Sequence, residues 1–249
     1  MLKPKNRVVL LGASGLVGRS LGKCLKTKGY EVVGVARKSD DCLQGDVADY
    51  KFLYKCLKKG DVVYYLATEN RSKKLNDYWK VNVVGVKNLI KIAAKKHFNK
   101  IVYVSTTMVL GMKKNSGNHY TDTKFEGLKY FKRNIKKNFY IIYPGVVINR
   151  NFRYRAAEKS VAGRIKDFLG FNTQGGLRMM AGDENRHFEM IYIDELADML
   201  AAYPEKRMPV EIKAVTNNLK VRDYVKMALP TTRFWPFRVP GWISKFFSN

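Results

Sequence analysis

Val8-Val-Leu-Leu11-Gly12-Ala-Ser-Gly15-Leu-Val-Gly18 is the stretch that decides how this chain folds. Its apolar start reads as a short strand buried on both faces, as in a parallel sheet. The glycines then permit a sharp turn into the helical spacing of Gly15 to Lys28, which Gly29 closes as a C-cap. The alternation continues outward. Glu31 to Ala36, Val62 to Leu66, Ile101 to Val104 and Tyr140 to Tyr143 read as strands, and residues 49–58, 77–96 and 121–137 as helices. Strands alternating with helices predict an α/β fold, a parallel sheet covered by helices on both faces. After Pro144 the pattern loosens. It offers a basic amphipathic helix over 152–170, a loop at Gly175-Gly176, a short strand Ile191-Tyr-Ile193 and a helix 195–202 capped by Asp194.

The chain has 249 residues, 46% of them hydrophobic, enough for one large domain or a domain with a small appendage. No run approaches the roughly 18 apolar residues that a bilayer span requires. The N-terminus leads directly into a strand pattern and leaves no room for a signal peptide, so a cytoplasmic location is expected. Cys24, Cys42 and Cys56 are an odd number without metal-like spacing, as expected of a reduced compartment. With three histidines in all, no structural metal is expected. Lys and Arg number 47 against 21 Asp and Glu, a net charge of +26. Such a surface attracts nucleic acid, acidic membranes or phosphorylated ligands. Lysines such as Lys95-Lys96 and Lys136-Lys137 equally well solvate helix faces, so charge alone names no function.

A glycine turn between a strand and a helix lets a ligand backbone approach closely, with the helix N-terminus facing a pyrophosphate. At the end of the second strand, an acidic residue would hydrogen-bond the ribose hydroxyls of NAD. Here Arg37 stands there, with Lys38 next. A guanidinium suits a 2′-phosphate bidentately, so NADP is expected ahead of NAD. The other reading is two ordinary surface cations. In Tyr120-Thr-Asp-Thr-Lys124, the lysine lies one helical turn from the tyrosine and on the same face. Its charge would favour the phenolate and lower a phenol pKa that is otherwise near 10. The phenol would then exchange a proton with a carbonyl or alcohol.

These parts, in this order, resemble the extended branch of the short-chain dehydrogenase/reductase superfamily and its NAD(P)-dependent epimerase/dehydratase family. The resemblance spans about residues 7 to 150 and again 187–202. It implies a Rossmann doubly wound sheet over 1–150 that binds the cofactor, and a small C-terminal substrate-binding portion over 151–249, with 187–202 returning to the core. It implies cofactor contacts from Gly12, Ser14, Gly15, Leu16, Val17 and Gly18, then Arg37 and Lys38, then Asp46 and Val47 at the adenine. Leu66, Ala67 and Thr68 at the end of the fourth strand would line the cofactor, and Pro144, Gly145 and Val146 would pack on the nicotinamide. Tyr120 and Lys124 also meet the cofactor.

In Ile101-Val-Tyr-Val-Ser105-Thr106-Thr107-Met-Val-Leu-Gly111, counting back from the glycine puts the catalytic hydroxyl on Thr106, with Ser105 and Thr107 as the other registers. The family pattern usually has a tyrosine before that glycine; here it is Leu110. Asn82 matches the helix asparagine that supports the lysine and completes a proton relay. The expected function is thus NADP-dependent interconversion of a carbonyl and an alcohol on a small, mostly apolar molecule. Tyr120 exchanges the proton, Lys124 tunes it, Thr106 holds the oxygen and Asn82 supports the relay. The same residues also fit a nucleotide-sugar epimerase or dehydratase. A non-catalytic nucleotide-sensing, RNA-binding or assembly protein is the reading from another class, although retention of the Tyr/Lys pair speaks against nucleic acid as the partner.

The region 150–186 carries Arg150, Arg153, Arg155, Arg164, Lys166 and Arg178, which suit an anionic substrate or a solvated helix. The tail 229–249 is aromatic, proline-broken and basic. Its Leu-Pro and Val-Pro-Gly-Trp elements resemble dihydroflavonol reductase and 3β-hydroxysteroid dehydrogenase-like members. It reads as folding back over the pocket, as peripheral contact with an acidic membrane, or as both. A homodimer is implied by the resemblance alone.

Overall fold

Strand β1 (Lys5–Leu11) lies between two parallel neighbours, which is why its sequence is apolar without alternation. Val8 to Leu11 pair with Val32 to Val35 of β2 (Tyr30–Ala36) on one side and with Val62 to Tyr65 of β4 (Val62–Tyr65) on the other. All four side chains are buried. The computed structural model describes residues 5–113, 116–149, 180–181, 187–220 and 238–239. The remaining strands of this sheet are β3 (Leu43–Gln44), β5 (Lys100–Val104), β6 (Phe139–Pro144) and β10 (Glu211–Ala214). They form a seven-stranded parallel sheet in the order β3-β2-β1-β4-β5-β6-β10. Strand order reverses between β1 and β4, and such switch points open a crevice at the carboxyl ends of the strands.

Helix α1 (Leu16–Thr27) buries Gly18, Leu21 and Leu25 and packs against α6 (Ile193–Leu200). Tyr64 Oη donates to Leu200 O at 2.7 Å, and Lys100 Nζ donates to Tyr203 O, Pro204 O and Lys206 O just beyond that helix. Tyr65, Tyr103 and Phe131 belong to a second set of packed side chains, with the Tyr103 and Phe131 rings stacked at 4.9 Å. This set is closed by α2 (Tyr50–Cys56), α4 (Gly85–Lys96) and α5 (His119–Asn134).

The helix read over 77–96 is three pieces: α3 (Leu75–Trp79), a π-helical segment Lys80–Val84, and α4. Tyr65 Oη donates to Val81 O, so a side chain serves a carbonyl inside that segment. Gly85 makes room for this, because a Cβ there would meet Tyr65 Oη and lie 2.7 Å from Val47 Cγ2. Single π turns of this kind gather at functional sites. The helix read over 121–137 starts earlier, at His119, because Asn118 caps it and accepts from Thr121 N at 3.0 Å. Asp194 lies inside the first turn of α6 and does not precede it.

The chain divides into two units. Met1–Gly145 and Ile193–Ala214 form the first, which holds the seven-stranded sheet; Val146–Tyr192 and Val215–Asn249 form the second. In the second, β7 (Val146–Ile148) pairs parallel and β11 (Asn217–Lys220) antiparallel with β9 (His187–Tyr192). Strands β8 (Met180–Ala181) and β12 (Arg238–Val239) pair parallel. The basic helix read over 152–170, the Gly175-Gly176 loop, the arginines from Arg150 to Arg178, and the tail 229–249 apart from Arg238 and Val239 lie outside the described residues. Among the described residues, no helix is long and apolar enough to cross a membrane.

The first unit is pinned at the start of β1 by a buried ion pair. Asp61, 2% exposed, accepts from Arg7 Nη1 on both carboxylate oxygens, at 2.9 and 2.7 Å, and from Lys58 N at 2.7 Å. Arg7 Nη2 reaches Cys56 O at 3.0 Å. Removing one partner of a buried pair strands the other. Asp61→Ala should therefore lower the unfolding free energy by about 3–5 kcal/mol, read as a fall in the urea midpoint.

Candidate active site

The glycine turn is built by backbone contact. Gly12 has φ +97°, and its N–H donates to Val35 O at 2.9 Å. A Cβ on Gly12 would come within 2.7 Å of Ala67 N and 2.8 Å of Ala67 Cα, so only glycine lets β1 turn beneath the chain leaving β4. Leu66 N donates to Leu11 O at 2.8 Å and holds that chain in place. Gly18 lies against Gly12 O, and a Cβ there would sit 2.7 Å from Ala13 Cα. Gly15 is the N-cap of α1. It provides no capping side chain, and the first turn holds no acidic residue. Gly15 and Leu16 are exposed, and Ser14 and Val17 half-buried. Helix N–H groups without a side-chain cap, beside glycines where a Cβ would collide, form a cradle that fits the pyrophosphate of a dinucleotide.

Arg37 and Lys38 follow β2 and are both exposed. Arg37 Nη2 pairs with Glu69 Oε2 at 3.1 Å. The other Glu69 oxygen accepts the N–H groups of Asn70, Arg71 and Ser72 at 3.1, 2.9 and 3.2 Å. Burial pushes the Glu69 carboxyl up, but the Arg71 N–H, the Arg37 guanidinium and the Ser72 N–H outweigh it and hold it below the usual carboxylate value. Asp46 Oδ1 accepts Ala48 N at 2.9 Å, and Val47 is buried beside Gly85.

At the carboxyl ends of β4 and β5, Tyr120 sits in the first turn of α5. Asp122 fastens the preceding loop by accepting Ser116 N at 2.6 Å and Gly117 N at 3.0 Å. Burial raises the Tyr120 pKa, and hydrogen bonding with the Thr106 and Thr68 hydroxyls opposes that rise. Of the three registers read from the sequence, Thr106 is the one whose hydroxyl opposes the rise of the Tyr120 pKa; the Ser105 hydroxyl and the Tyr103 phenol are buried with no hydrogen-bond partner among the described residues. Thr106 Oγ1 also accepts Met108 N at 3.3 Å, which starts a short 3-10 turn over Thr107–Val109.

Asn82 lies in the π segment and is 1% exposed. Its Oδ1 accepts Thr68 Oγ1 at 3.2 Å and Glu69 N at 3.0 Å; its Nδ2 donates to Glu69 O at 3.1 Å and Thr123 Oγ1 at 3.0 Å. Thr68 and Thr123 are thus joined through the Asn82 amide.

Lys124 behaves differently from expectation. Its Nζ donates to Val104 O at 2.8 Å and lies 5.2 Å from the Tyr103 ring centre. Burial lowers its pKa to about 7. The groups that lower the Tyr120 pKa are threonine hydroxyls, whereas sequence reasoning gave that work to the Lys124 charge. The physical reason is burial, which disfavours the ammonium that would have acted on the phenol. Sequence reasoning also missed the Thr68 hydroxyl, Glu69 and Thr123. The available signal was their position: the first two follow the strand at the switch point, and Thr123 lies one turn along from Tyr120. Pro144 ends β6, and Gly145 N donates to Ala214 O at 3.1 Å, while Val146 starts the second unit.

The model of the NAD dependent epimerase/dehydratase family matches residues 8–213 of this chain. An N-acetyl-alpha-D-glucosaminyl-diphospho-ditrans,octacis-undecaprenol 4-epimerase of Escherichia coli O157:H7 is 25% identical over 243 residues, covering 88% of this chain and 67% of the relative. Among solved structures, a UDP-glucose 4-epimerase of Thermotoga maritima with UDP-glucose superposes with a TM-score of 0.70 at 16% identity, over 94% of this chain and 85% of that one. A UDP-glucose 4-epimerase of Thermus thermophilus with NAD gives 0.68 at 16% identity, over 94% and 86%. The solved structures share the fold.

The low Lys124 pKa has a testable sign. The folded chain releases this proton near pH 7, and the unfolded chain only near pH 10.4. Between those values the unfolded state holds more protons, so Lys124 makes stability rise with pH, and the penalty for a buried ammonium is full below about pH 7. Lys124→Met should flatten that rise. Urea melts at pH 6, 8 and 10 should show the variant's stability relative to wild type greatest at pH 6 and declining toward pH 10.

Proposed function

This chain belongs to the NAD dependent epimerase/dehydratase family, and from that premise we propose that it is an NAD(P)-dependent 4-epimerase of a diphosphate-linked sugar. The observation that carries the reading is the Tyr120 phenol in the first turn of α5, the rise of its pKa opposed by the Thr106 and Thr68 hydroxyls, in the same unit as the glycine cradle. The 4-epimerase relatives support the sugar and the position. A bound nicotinamide would supply reversible hydride acceptance at the sugar carbon, with no net consumption over a turnover.

The chain's own residues do the rest. Gly12, Gly15 and Gly18 receive the pyrophosphate, with Ser14, Leu16 and Val17 beside it. Arg37 and Lys38 face the adenosine ribose, and Asp46 and Val47 the adenine. Leu66, Ala67 and Thr68 line the cofactor, with Pro144, Gly145 and Val146 toward the nicotinamide. Thr106 orients the reacting sugar oxygen. Tyr120 Oη takes its proton as the alcohol becomes a ketone and gives it back afterwards. Asn82 accepts from Thr68 and so positions that hydroxyl. Lys124, seated on Val104 O, would hold the nicotinamide ribose.

Reduction of a mostly apolar carbonyl compound, the first expectation from sequence, is the second reading. It is favoured by Met108 and Leu110, exposed apolar residues within and just after the turn that Thr106 starts. A panel of nucleoside-diphosphate hexoses, a polyprenyl-diphosphate N-acetylhexosamine and apolar ketones separates the two. An isomerised sugar with no net change in NAD(P)H supports the epimerase, while steady NAD(P)H consumption on a ketone supports the reductase. Tyr120→Phe should lower turnover by about 10²–10⁴-fold while calorimetric dinucleotide affinity stays within about twofold. Wild-type turnover in that variant would remove Tyr120 from the chemistry.

A further inference from the structure

Glu69 enters the site from the opposite side of β1 to Arg37. Strands β2 and β4 flank β1, so the residues that follow them arrive on either side of the glycine turn. The two partners differ in freedom. The Arg37 side chain is 59% exposed, and that of Glu69 is 11% exposed. Glu69 is also held at three points: its Oε1 accepts three successive backbone N–H groups, its own N–H donates to Asn82, and its carbonyl accepts from Asn82. It is a fixed anion that holds a movable cation by one contact, Nη2 to Oε2 at 3.1 Å.

We propose that Glu69 is a specificity-determining residue for the cofactor, limiting how much of the Arg37 charge a 2′-phosphate can use. The inference rests on reading Gly12 to Gly18 and Arg37 as a dinucleotide site. For a 2′-phosphate to engage the guanidinium fork, Arg37 must leave Glu69 or be shared with it. Leaving strands a carboxylate that is mostly buried. Sharing brings a dianion close to an anion that cannot withdraw. Neither penalty falls on NAD, whose 2′-hydroxyl carries no charge and makes no demand on the Arg37 guanidinium. Glu69 thus brings from β4 the acidic group that the end of β2 lacks.

The test is calorimetric titration of wild type and variants with NAD+ and NADP+. Glu69→Gln keeps an oxygen for the N–H groups of residues 70–72 and removes the charge. It should tighten NADP+ about tenfold and leave NAD+ within about threefold. Arg37→Gln should weaken NADP+, and adding E69Q to it should give no further gain, because the effect runs through the guanidinium. Glu69→Asp, which keeps the charge but retracts it from Arg37, should move the NADP+/NAD+ ratio in the same direction by less. An unchanged ratio in the two Glu69 variants, or equal weakening of both dinucleotides, overturns the proposal and leaves the dinucleotide site standing. Binding of neither dinucleotide to wild type overturns that site and the proposal together.

Discussion

One buried carboxamide organises the candidate site. Asn82 has two hydrogens and one oxygen to satisfy away from water, and it satisfies them on Thr68, Glu69 and Thr123. An unmade hydrogen bond there would cost about 1–3 kcal/mol, so its partners are fixed along with it. Those partners belong to the chain after β4 and to α5. The first leads to Arg37 through Glu69; the second carries Tyr120. The π segment places the amide between them, and Gly127 lets α5 come close enough, since a Cβ there would collide with Asn82 O. The chain that leads to Arg37 and the helix that carries Tyr120 share one anchor.

The surplus of basic residues is partly absorbed by the fold itself. A chain with so few acids cannot pair each cation with a carboxylate, and several lysines are seated on carbonyls instead. Lys96 Nζ donates to Tyr54 O and Leu57 O at the end of α2, Lys100 does the same after α6, and Lys124 holds Val104 O. Carbonyls at helix ends lack intrahelical partners and favour positive charge, so lysine is a suitable cap. The few acids are correspondingly concentrated: Asp61 on Arg7, Glu69 on Arg37, Asp122 on the loop before Tyr120, and Glu211 on Lys132 and Tyr143.

Much of the fold was legible because its signals are local. The apolar runs of β1, β4, β5 and β6 are each buried between parallel neighbours, so each could be recognised without knowing its partners. The 77–96 helix was legible as a helix but not as a π-interrupted one. That interruption involves Tyr65 and Val47, which reach it from other elements. Thr106 could be placed only to within one residue by counting, because the hydroxyls of Ser105, Thr106 and Thr107 differ only in where the folded chain carries them. The i+4 spacing of Tyr120 and Lys124 says that two side chains share a face, not how deeply the second is buried, and that burial lowers the Lys124 pKa.

The sequence by itself determined the strand and helix alternation, the glycine turn after β1 and the pairing of Tyr120 with a lysine one turn on. These depend on spacing and on backbone freedom that only particular residues have. Tertiary structure alone decided that Glu69 meets Arg37, that Asn82 ties Thr68 and Glu69 to Thr123, and that Lys124 is buried against Val104 O with its pKa lowered. Charge and proton affinity depend on desolvation and on neighbours distant in sequence, and both exist only once the chain has folded.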